Sequence, residues 1–253
     1  MKTRYFIFIS YKGTLYHGWQ IQPGSRTIQQ TLEDCLSLIL GEKTELTGAG
    51  RTDTGVHASY FCAHFDCKAD DLDTRKNLIF RINKFIPWDI SIISIKKALP
   101  EAHARFGALS RTYKYYISRK KDPFSTETTW CLYGDLDIVK MNEACAILSN
   151  YKDFTSFSRL HTDVKTNNCK IYNANWEQEG ERLIFTIKAD RFLRNMVRAI
   201  VGTMVDIGQG KLTLEDFENI IIAKDRGKAG QSAPAKGLFL TDIEYPSGIF
   251  YGS

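Results

Sequence analysis

The 253-residue chain is long enough for one large domain or two smaller ones, and its 43% apolar and 25% charged residues are typical of globular proteins. No apolar run approaches the roughly 20 residues of a membrane-spanning helix, and the N-terminus lacks a signal-peptide pattern, so we expect a cytoplasmic protein without a membrane segment. The net charge of +5 is small, so the distribution of charge along the chain is more informative than its sum.

Basic residues are concentrated in three segments. Residues 102–121 contain six Lys or Arg residues and no acidic residue, residues 188–198 contain four against one Asp, and residues 224–236 are also basic. Clusters of this kind favour a polyanionic partner, although a solvated lysine face would explain any one of them equally well.

The six cysteines include no C-x-x-C pair, so we expect reduced and mostly buried thiols. Cys62, His64 and Cys67 have a spacing that could suggest a metal site. However, Cys62 and His64 alternate along a predicted strand, and no fourth ligand of suitable spacing is nearby. We therefore favour a plain strand and predict no metal.

The first half of the chain predicts the order β-α-β-β-α-β, a split βαβ pattern. Thr27-x-x-Gln30 resembles a capping box that opens a helix ending at Gly41, and Asp73 is the expected cap of a second helix. The predicted elements are strands at 4–11, 44–47, 58–66 and 90–95, and helices at 28–41 and 74–84.

The second half again predicts strands with helices. Residues 102–107 are a candidate joint, so we expect two α+β subdomains, an N-terminal one at 1–105 that carries the aspartate loop described next and a C-terminal one at 106–253. The predicted elements are strands at 110–118, 169–178, 183–189 and 238–245, a helix at 192–207, and helices capped by Asp137 and Thr213.

A glycine-rich loop separates two predicted strands and reads GAGRTDTGVH over residues 48–57. Glycines at this density indicate positive φ angles or the close approach of another molecule. The loop is not a phosphate-binding P-loop, because no Gly-Lys-Ser/Thr follows and the next element is a strand. Most loop aspartates close an Asx turn or cap a helix, so composition alone favours that role for Asp53.

Arg198 and Tyr113 are further candidates for chemistry. Arg198 lies in an apolar stretch of the long predicted helix, where an arginine is either at a water-facing end or paired with a carboxylate. Asp53 is a reasonable long-range partner, whereas Arg194, four residues earlier on the same predicted face, could instead form a phosphate groove with Arg198. Tyr113 suits half-buried packing and, beside Arg111, equally suits stacking on an unpaired base.

The glycine-rich loop, extended to Ala58, closely resembles the signature of the TruA-type tRNA pseudouridine synthases. Five other blocks match the family in the same order, and together they span nearly the whole chain. One departure is Thr54, where alanine is the commoner residue. The matching blocks are YHGWQ at 16–20, HARF at 103–106, RTYKY at 111–115, FLRNMVRAIVG at 192–202 and APAKGLFL at 233–240.

The resemblance implies an isomerase that converts uridine to pseudouridine at positions 38, 39 and 40 in the anticodon stem-loop of tRNA. It also implies that no cofactor is needed and that the protein is a homodimer. The implied fold is α+β, with two RRM/ferredoxin-like halves whose antiparallel sheets join into one extended mixed sheet, with helices on one side and the active cleft between the halves.

By position, the resemblance also gives each candidate residue a role. Asp53 would be the nucleophile, Arg198 its ion-pair partner, and Arg51 the residue that helps to displace the target base. Tyr113 would stack on that base. The other expected substrate-binding residues are Arg105, Arg111 and Arg194.

Two other functions compete with this interpretation. A catalytically silent RNA-binding protein would keep the basic clusters but would need no Arg-x-Asp loop. A zinc nucleobase deaminase would need H-x-E and P-C-x-x-C motifs, and both are absent from the sequence. The sequence leaves open whether Asp53 attacks C6 of the base, attacks C1′ of the ribose, or removes a ribose proton.

Overall fold

The computed structural model describes residues 2–159 and 166–251, and it divides into two compact units. The first unit contains the residues up to Leu109 together with those from Leu240 onward, and the second contains Ser110–Phe239. Both units combine strands with helices, so the predicted α+β class is confirmed. The division into subdomains at 1–105 and 106–253 stays a prediction. The compact units are divided differently, since the chain passes from the first unit to the second at 109/110 and returns to the first at 239/240.

Residues 3–97 of the first unit follow the predicted order β-α-β-β-α-β. The elements are β1 Thr3–Tyr11, α1 Ile28–Leu40, β2 Thr47–Gly48, β3 His57–Cys67, α2 Leu78–Phe85 and β4 Ile90–Lys97. Their strands pair antiparallel in the order β4-β1-β3-β2. The central strand β1 is buried continuously over residues 5–9, so both of its faces are covered. Strand β2 is shorter than predicted, because only two of its residues pair with β3.

Helix α1 begins and ends where the sequence signals place it. The Thr27 side chain accepts a hydrogen bond from the Gln30 backbone N–H, and Gly41 ends the helix in the left-handed conformation with a φ of 71°. The capping box is only half formed, since the Gln30 side chain donates to Asp34. The helix buries the apolar face that carries Ile28, Leu32, Cys35 and Leu36.

Helix α2 begins at Leu78, four residues later than predicted. The preceding segment is a turn in which Asp71 forms an ion pair with Arg75 at 2.8 Å. Asn77 then adopts the left-handed conformation with a φ of 64° directly before the helix. The expectation that Asp73 caps this helix is therefore wrong.

The second unit contains the elements from residue 110 to residue 239. They are β5 Ser110–Ser118, β6 Trp130–Cys131, α3 Ile138–Leu148, β7 Ile171–Glu179, β8 Arg182–Ala189, α4 Met196–Gly208 and α5 Leu214–Ala223. Strands β7, β8 and β5 pair antiparallel in that order, whereas β6 pairs parallel with β5, so this sheet is mixed. A last strand, β9 Leu238–Glu244, begins in the second unit and continues in residues of the first.

The helices of the second unit pack on its sheet through specific contacts. The Asn142 side chain of α3 accepts from the Trp176 backbone N–H at 2.8 Å and donates to the Trp176 carbonyl at 3.0 Å, which fixes the register of α3 on β7. The Trp176 indole N–H contacts the Met204 sulfur of α4. The predicted caps Asp137 and Thr213 are confirmed. None of the helices in the described ranges is long and apolar enough to cross a membrane.

Helix α4 also begins four residues later than predicted, at Met196. Asn195 lies in the left-handed region with a φ of 66° and precedes the helix. Phe192, which the prediction places inside the helix, lies edge-on against the Tyr113 ring instead. Arg194 is therefore outside α4.

Candidate active site

The Asp53 loop, residues 49–56, connects β2 to β3 and is closed by a turn of its own backbone. The Asp53 carbonyl accepts a hydrogen bond from the Val56 N–H at 3.1 Å. Gly55 is the third residue of this turn and has a φ of 77°, as a type II turn requires. The hydrogen bond that closes the turn thus uses the main chain of Asp53, and Gly55 provides the positive φ that the glycine-rich sequence suggests.

Residues that precede α1 hold the Asp53 loop in place. The Trp19 N–H donates to the Thr52 carbonyl at 3.2 Å, and the Tyr16 carbonyl accepts from the Gly55 N–H at 3.4 Å. The Tyr11 hydroxyl forms a hydrogen bond with Thr52 Oγ1 at 2.9 Å. The chain is therefore fixed on both sides of Asp53.

The glycines around the loop have two different roles. Gly18 has a φ of +82°, and a Cβ at this position would lie 2.3 Å from the Thr52 carbonyl oxygen. A Cβ on Gly48 would lie 2.5 Å from the Trp19 indole nitrogen. A Cβ on Gly50 would meet no atom within 4 Å. Gly18 and Gly48 are thus explained by close packing within the protein, whereas Gly50 leaves room for an approaching molecule.

Sequence reasoning missed several residues that hold this loop. His57 is buried, and its Nδ1 accepts from the Gly13 N–H at 3.0 Å. The Trp19 indole stacks on Phe61 with ring centroids 4.2 Å apart. Trp19 and His57 do belong to the blocks YHGWQ and GAGRTDTGVH that match the family, which was a signal of their importance. Their contact partners, however, are distant in sequence and were not predictable.

Arg51 and Asp53 share the loop and differ in exposure. Arg51 is exposed, whereas Asp53 is partly buried. Arg105 also belongs to the first unit and is exposed on a separate segment, residues 102–107. Arg51 and Asp53 therefore share one loop, whereas Arg105 lies in a different segment of the same unit, residues 102–107.

Tyr113 lies on β5 with its ring edge-on to Phe192. The ring centroids are 5.0 Å apart and the ring planes meet at 86°. Arg111, two residues earlier and therefore on the same face of the strand, donates from Nη1 to the Asp190 carbonyl at 2.8 Å. Both side chains are half-buried. The structure thus places Tyr113 and Arg111 together on one face of β5.

Arg198 lies in the first turn of α4 and binds the segment that precedes β9. Its Nε–H donates to the Ala233 carbonyl at 2.7 Å, and its own carbonyl accepts from the Ala233 N–H at 2.9 Å. Gly202, one turn later, permits this approach, because a Cβ there would lie 1.8 Å from the Gln231 carbonyl oxygen. Within the second unit, Arg198 therefore has a backbone carbonyl as a partner.

Tyr115 ties the same segment to β5. Its hydroxyl donates to the Pro234 carbonyl at 2.7 Å. Burial raises the pKa of Tyr115 well above its ordinary value, and the positive charge of Arg198 partly opposes this increase. Tyr115 and Arg198 thus hold the start of the block APAKGLFL from two elements, β5 and α4.

Arg194 is exposed, and its carbonyl accepts from the Arg159 N–H at 3.0 Å. Because α4 begins only at Met196, Arg194 and Arg198 do not share a helical face. The shared helical face on which the alternative of a phosphate groove rested is therefore wrong.

Cys62, His64 and Cys67 all lie on β3, so the strand interpretation is confirmed. The His64 Nδ1 accepts from the Ala104 N–H at 3.1 Å, and the Cys67 thiol donates to Glu42 at 3.1 Å. Among residues 2–159 and 166–251, no three His, Cys, Asp or Glu side chains are grouped closely enough to hold a metal ion.

Comparisons with known proteins identify the class of enzyme to which this chain is similar. Residues 144–246 match a family model described as tRNA pseudouridine synthase. Proteins named tRNA pseudouridine synthase A from Parabacteroides distasonis and Bacteroides fragilis are 53% and 54% identical over 247 and 248 residues, and each match covers 98% of both chains. The protein of the same name from Bacteroides thetaiotaomicron is 54% identical over 250 residues, which cover 98% of this chain and 92% of that one.

The class is thus that of the pseudouridine synthases, which are isomerases. More specifically, the chain belongs to the tRNA pseudouridine synthase A family. The resemblance noted in the sequence and the predicted enzyme class are confirmed.

Proposed function

We propose that this protein converts uridine to pseudouridine in tRNA, at positions 38, 39 and 40 of the anticodon stem-loop. The observation that carries the proposal is the Asp53 loop, which holds Arg51 and Asp53 two residues apart on a backbone fixed at Thr52 and Gly55. Relatives that are more than 50% identical and are named tRNA pseudouridine synthase A support tRNA as the substrate.

The proposed reaction exchanges one glycosidic bond for another. The N1–C1′ bond breaks, the detached uracil turns, and C5 bonds to C1′, while the proton lost from C5 is balanced by one gained at N1. We assign Asp53 as the nucleophile, because aspartate carboxylates are ordinarily ionised at neutral pH and can form covalent intermediates in glycosyl chemistry. Attack at C6 and attack at C1′ both fit this assignment, and the exchange needs no redox or phosphoryl step.

We assign Arg198 as the ion-pair partner of Asp53. A nearby positive charge would keep the carboxylate ionised and oriented once bound RNA excludes water. Two observations support Arg198 as a fixed cation: it is half-buried, and its Nε–H is bound to the Ala233 carbonyl, which sets the direction of the side chain. An arginine that is withdrawn from water is ordinarily paired.

Arg51 and Tyr113 are assigned to the displacement of the target base. A uridine in a stem must leave the stack before a nucleophile can reach it, which costs on the order of a few kcal/mol. Arg51 is exposed and only two residues from Asp53, so it is suited to fill the gap. Tyr113 has its ring oriented by Phe192 and would provide a stacking surface that tolerates any base.

The remaining assignments concern the tRNA backbone and the assembly. We assign Arg105, Arg111 and Arg194 to phosphate contacts, because they lie in the basic segments 102–121 and 188–198. Two RRM/ferredoxin-like halves with joined sheets, an active cleft between them and a homodimer also belong to the proposal, and they rest on the family. The strand order β4-β1-β3-β2 in the first unit agrees with such a half. Since the substrate is tRNA, we place the activity in the cytoplasm.

The nucleophile is tested by Asp53→Asn, which keeps the shape of the side chain and removes its charge. We expect the rate of pseudouridine formation to fall by at least about a thousandfold, while the affinity for tRNA stays within a few-fold. Asp53→Ala should behave in the same way. Asp73→Asn is the matched control, since Asp73 is exposed and caps no helix, and it should keep full activity.

The measurement is position-resolved mapping of pseudouridine in an unmodified tRNA transcript. Persistent modification by the Asp53 variants would show that another residue is the nucleophile. Modification confined to a position outside the anticodon arm would overturn the assigned sites. A catalytically silent RNA-binding protein would instead bind tRNA and form no pseudouridine even as the wild type.

A further inference from the structure

Residues 102–107 form a segment whose backbone is held by side chains from two strands of the first unit and from Tyr245, which directly follows β9. Arg4 donates from Nη1 to the Ala102 carbonyl at 2.9 Å. The Ala104 N–H donates to His64 Nδ1 at 3.1 Å, and the Tyr245 hydroxyl donates to the Ala104 carbonyl at 2.7 Å. This segment is therefore fixed in place before any partner binds.

The fixed segment turns so that Arg105 and Phe106 point outward. His103 Nδ1 accepts from the backbone N–H groups of both residues, at 3.1 and 3.3 Å. The Gly107 N–H donates to the His103 carbonyl at 2.8 Å, and a Cβ on Gly107 would lie 2.9 Å from that oxygen. Phe106 is 78% exposed, whereas large apolar residues such as phenylalanine are more often buried.

A cation and a second ring accompany the exposed phenylalanine. The Arg105 guanidinium lies 5.6 Å from the centroid of the Phe106 ring, and the His103 ring lies 4.4 Å from it. Burial, followed by the charges of Arg4 and Arg105, lowers the pKa of His103, so its imidazole is neutral at pH 7. An aromatic face beside a cation is the combination that binds an unpaired base together with its phosphate.

A cavity of about 350 Å³ opens beside this ring. Its wall is mainly apolar and includes Leu99, Ala102 and Ile249. Glu101 also lines it, and this carboxylate would repel a phosphate, so a base is a better occupant than a phosphate. None of the described residues that line the cavity belongs to the Asp53 loop, so the cavity is built from a different part of the first unit.

We propose that this cavity takes one unpaired nucleobase of the bound tRNA, other than the target uridine, stacked on Phe106 with its phosphate near Arg105. This inference rests on the proposed function, because tRNA is the ligand. Because the backbone of the segment is already fixed and a phenylalanine side chain has few rotatable bonds, little freedom is lost when a base stacks on Phe106, so the exposed ring contributes to affinity without a large ordering penalty. The cavity would thus help to position the tRNA while Asp53 acts on a different nucleotide.

The proposal is tested by the dissociation constant for an unmodified tRNA transcript. We expect Phe106→Ala and Phe106→Leu to weaken binding about tenfold, whereas Phe106→Trp, which keeps an aromatic face, stays within about twofold of the wild type. Phe124→Ala is the matched control, because Phe124 is an even more exposed phenylalanine in another loop, and it should bind as the wild type does. Melting temperatures of all four variants should be unchanged, since the rings are exposed.

The position of the base is read from photo-crosslinking by p-benzoyl-phenylalanine introduced at position 106. We expect one main crosslink, to a nucleotide outside positions 38–40. A crosslink to the target uridine would overturn the claim of a separate base. Unchanged tRNA binding by Phe106→Ala would overturn the proposal and indicate that the exposed ring serves a protein partner instead. Equal binding by the Leu and Trp variants would overturn base stacking and indicate apolar packing. Wild-type protein that neither binds nor modifies tRNA would overturn the proposed function itself.

Discussion

At the scale of single residues, His64 links the sheet to the exposed segment 102–107. It is 6% exposed, and its Nδ1 accepts from the Ala104 N–H. Burial, followed by the positive charge of Arg4, lowers the pKa of His64 from 6.5 to about 4. A neutral imidazole is needed to accept this hydrogen bond, so one of the three side-chain attachments of the segment depends on His64 remaining unprotonated.

We therefore expect the protein to lose stability as pH falls from about 6.5 to about 4. In this window the unfolded chain binds a proton at His64 and the folded protein does not, so the free energy of unfolding decreases with falling pH. The neutral His64 contributes fully to the free energy of unfolding above pH 6.5, and roughly 2–3 kcal/mol of this contribution is lost by pH 4. His64→Gln keeps an acceptor for the Ala104 N–H and does not titrate. Its melting temperature should fall less between pH 7 and pH 5 than that of the wild type, and equal decreases would contradict this role.

The sequence predicted candidate residues at this scale better than their contacts. Asp53 and Arg51 stand out in a glycine-rich loop, and the resemblance gives them roles that stay predictions. Thr52, which lies between them, is held by the Tyr11 hydroxyl and the Trp19 backbone N–H. The Ala233 carbonyl that binds Arg198 is also main chain. Main-chain partners leave no mark on residue identity, so a sequence does not reveal them.

At the scale of elements, most strands and the caps of α1, α3 and α5 were predicted more closely than the starts of α2 and α4. Both helices begin after an asparagine in the left-handed conformation, Asn77 and Asn195. In α4 the apolar pattern extends past Asn195 to Phe192 and Leu193, so the pattern alone does not show where the helix begins. In α2 the residues before Asn77 are polar, and the early start was predicted from Asp73 as a candidate cap. Asparagine tolerates this conformation better than most residues, which was the available signal. The late start of α4 frees Phe192 to contact Tyr113.

The packing of the Asp53 loop predicts different outcomes for two glycine substitutions. Gly18→Ala places a side chain at a φ of +82° and 2.3 Å from the Thr52 carbonyl oxygen. We expect it to lower the free energy of unfolding by at least about 2 kcal/mol and to reduce pseudouridine formation, because Thr52 must move. Gly50→Ala meets no atom within 4 Å and should leave the melting temperature unchanged.

The affinity of Gly50→Ala for tRNA separates the two roles of glycine in the loop. If RNA approaches Asp53 closely, the added methyl group should weaken binding several-fold in a protein of normal stability. Chemical denaturation and tRNA titration of both variants are the measurements. Normal stability in Gly18→Ala would contradict the packing argument, and normal tRNA binding in Gly50→Ala would show that this glycine is not needed for RNA approach.

At the scale of the whole molecule, the chain is divided in a way that local patterns do not show. Residues from Leu240 onward belong to the first compact unit, although they follow the second in sequence. The Leu109 N–H donates to the Glu244 carbonyl, and the Tyr245 hydroxyl donates to the Ala104 carbonyl, so these links join residues 104–109 to the later part of the first unit. Strand β9 was predicted from its composition, but its membership of a unit depends on non-local contacts.

The charge of the whole molecule predicts how tRNA binding depends on salt. Each phosphate contact releases counterions, so the logarithm of affinity should fall with the logarithm of salt concentration, by roughly 0.7–0.9 per contact. Arg194→Gln should reduce this slope by about one and weaken binding to all tRNAs alike, because Arg194 is exposed in a basic segment. Lys43→Gln removes the same charge from a residue paired with Glu45 outside those segments and should leave the slope unchanged. If Arg194→Gln leaves the slope unaltered, Arg194 makes no phosphate contact in the complex. A steep slope for the wild type would then assign the phosphate contacts to other basic residues.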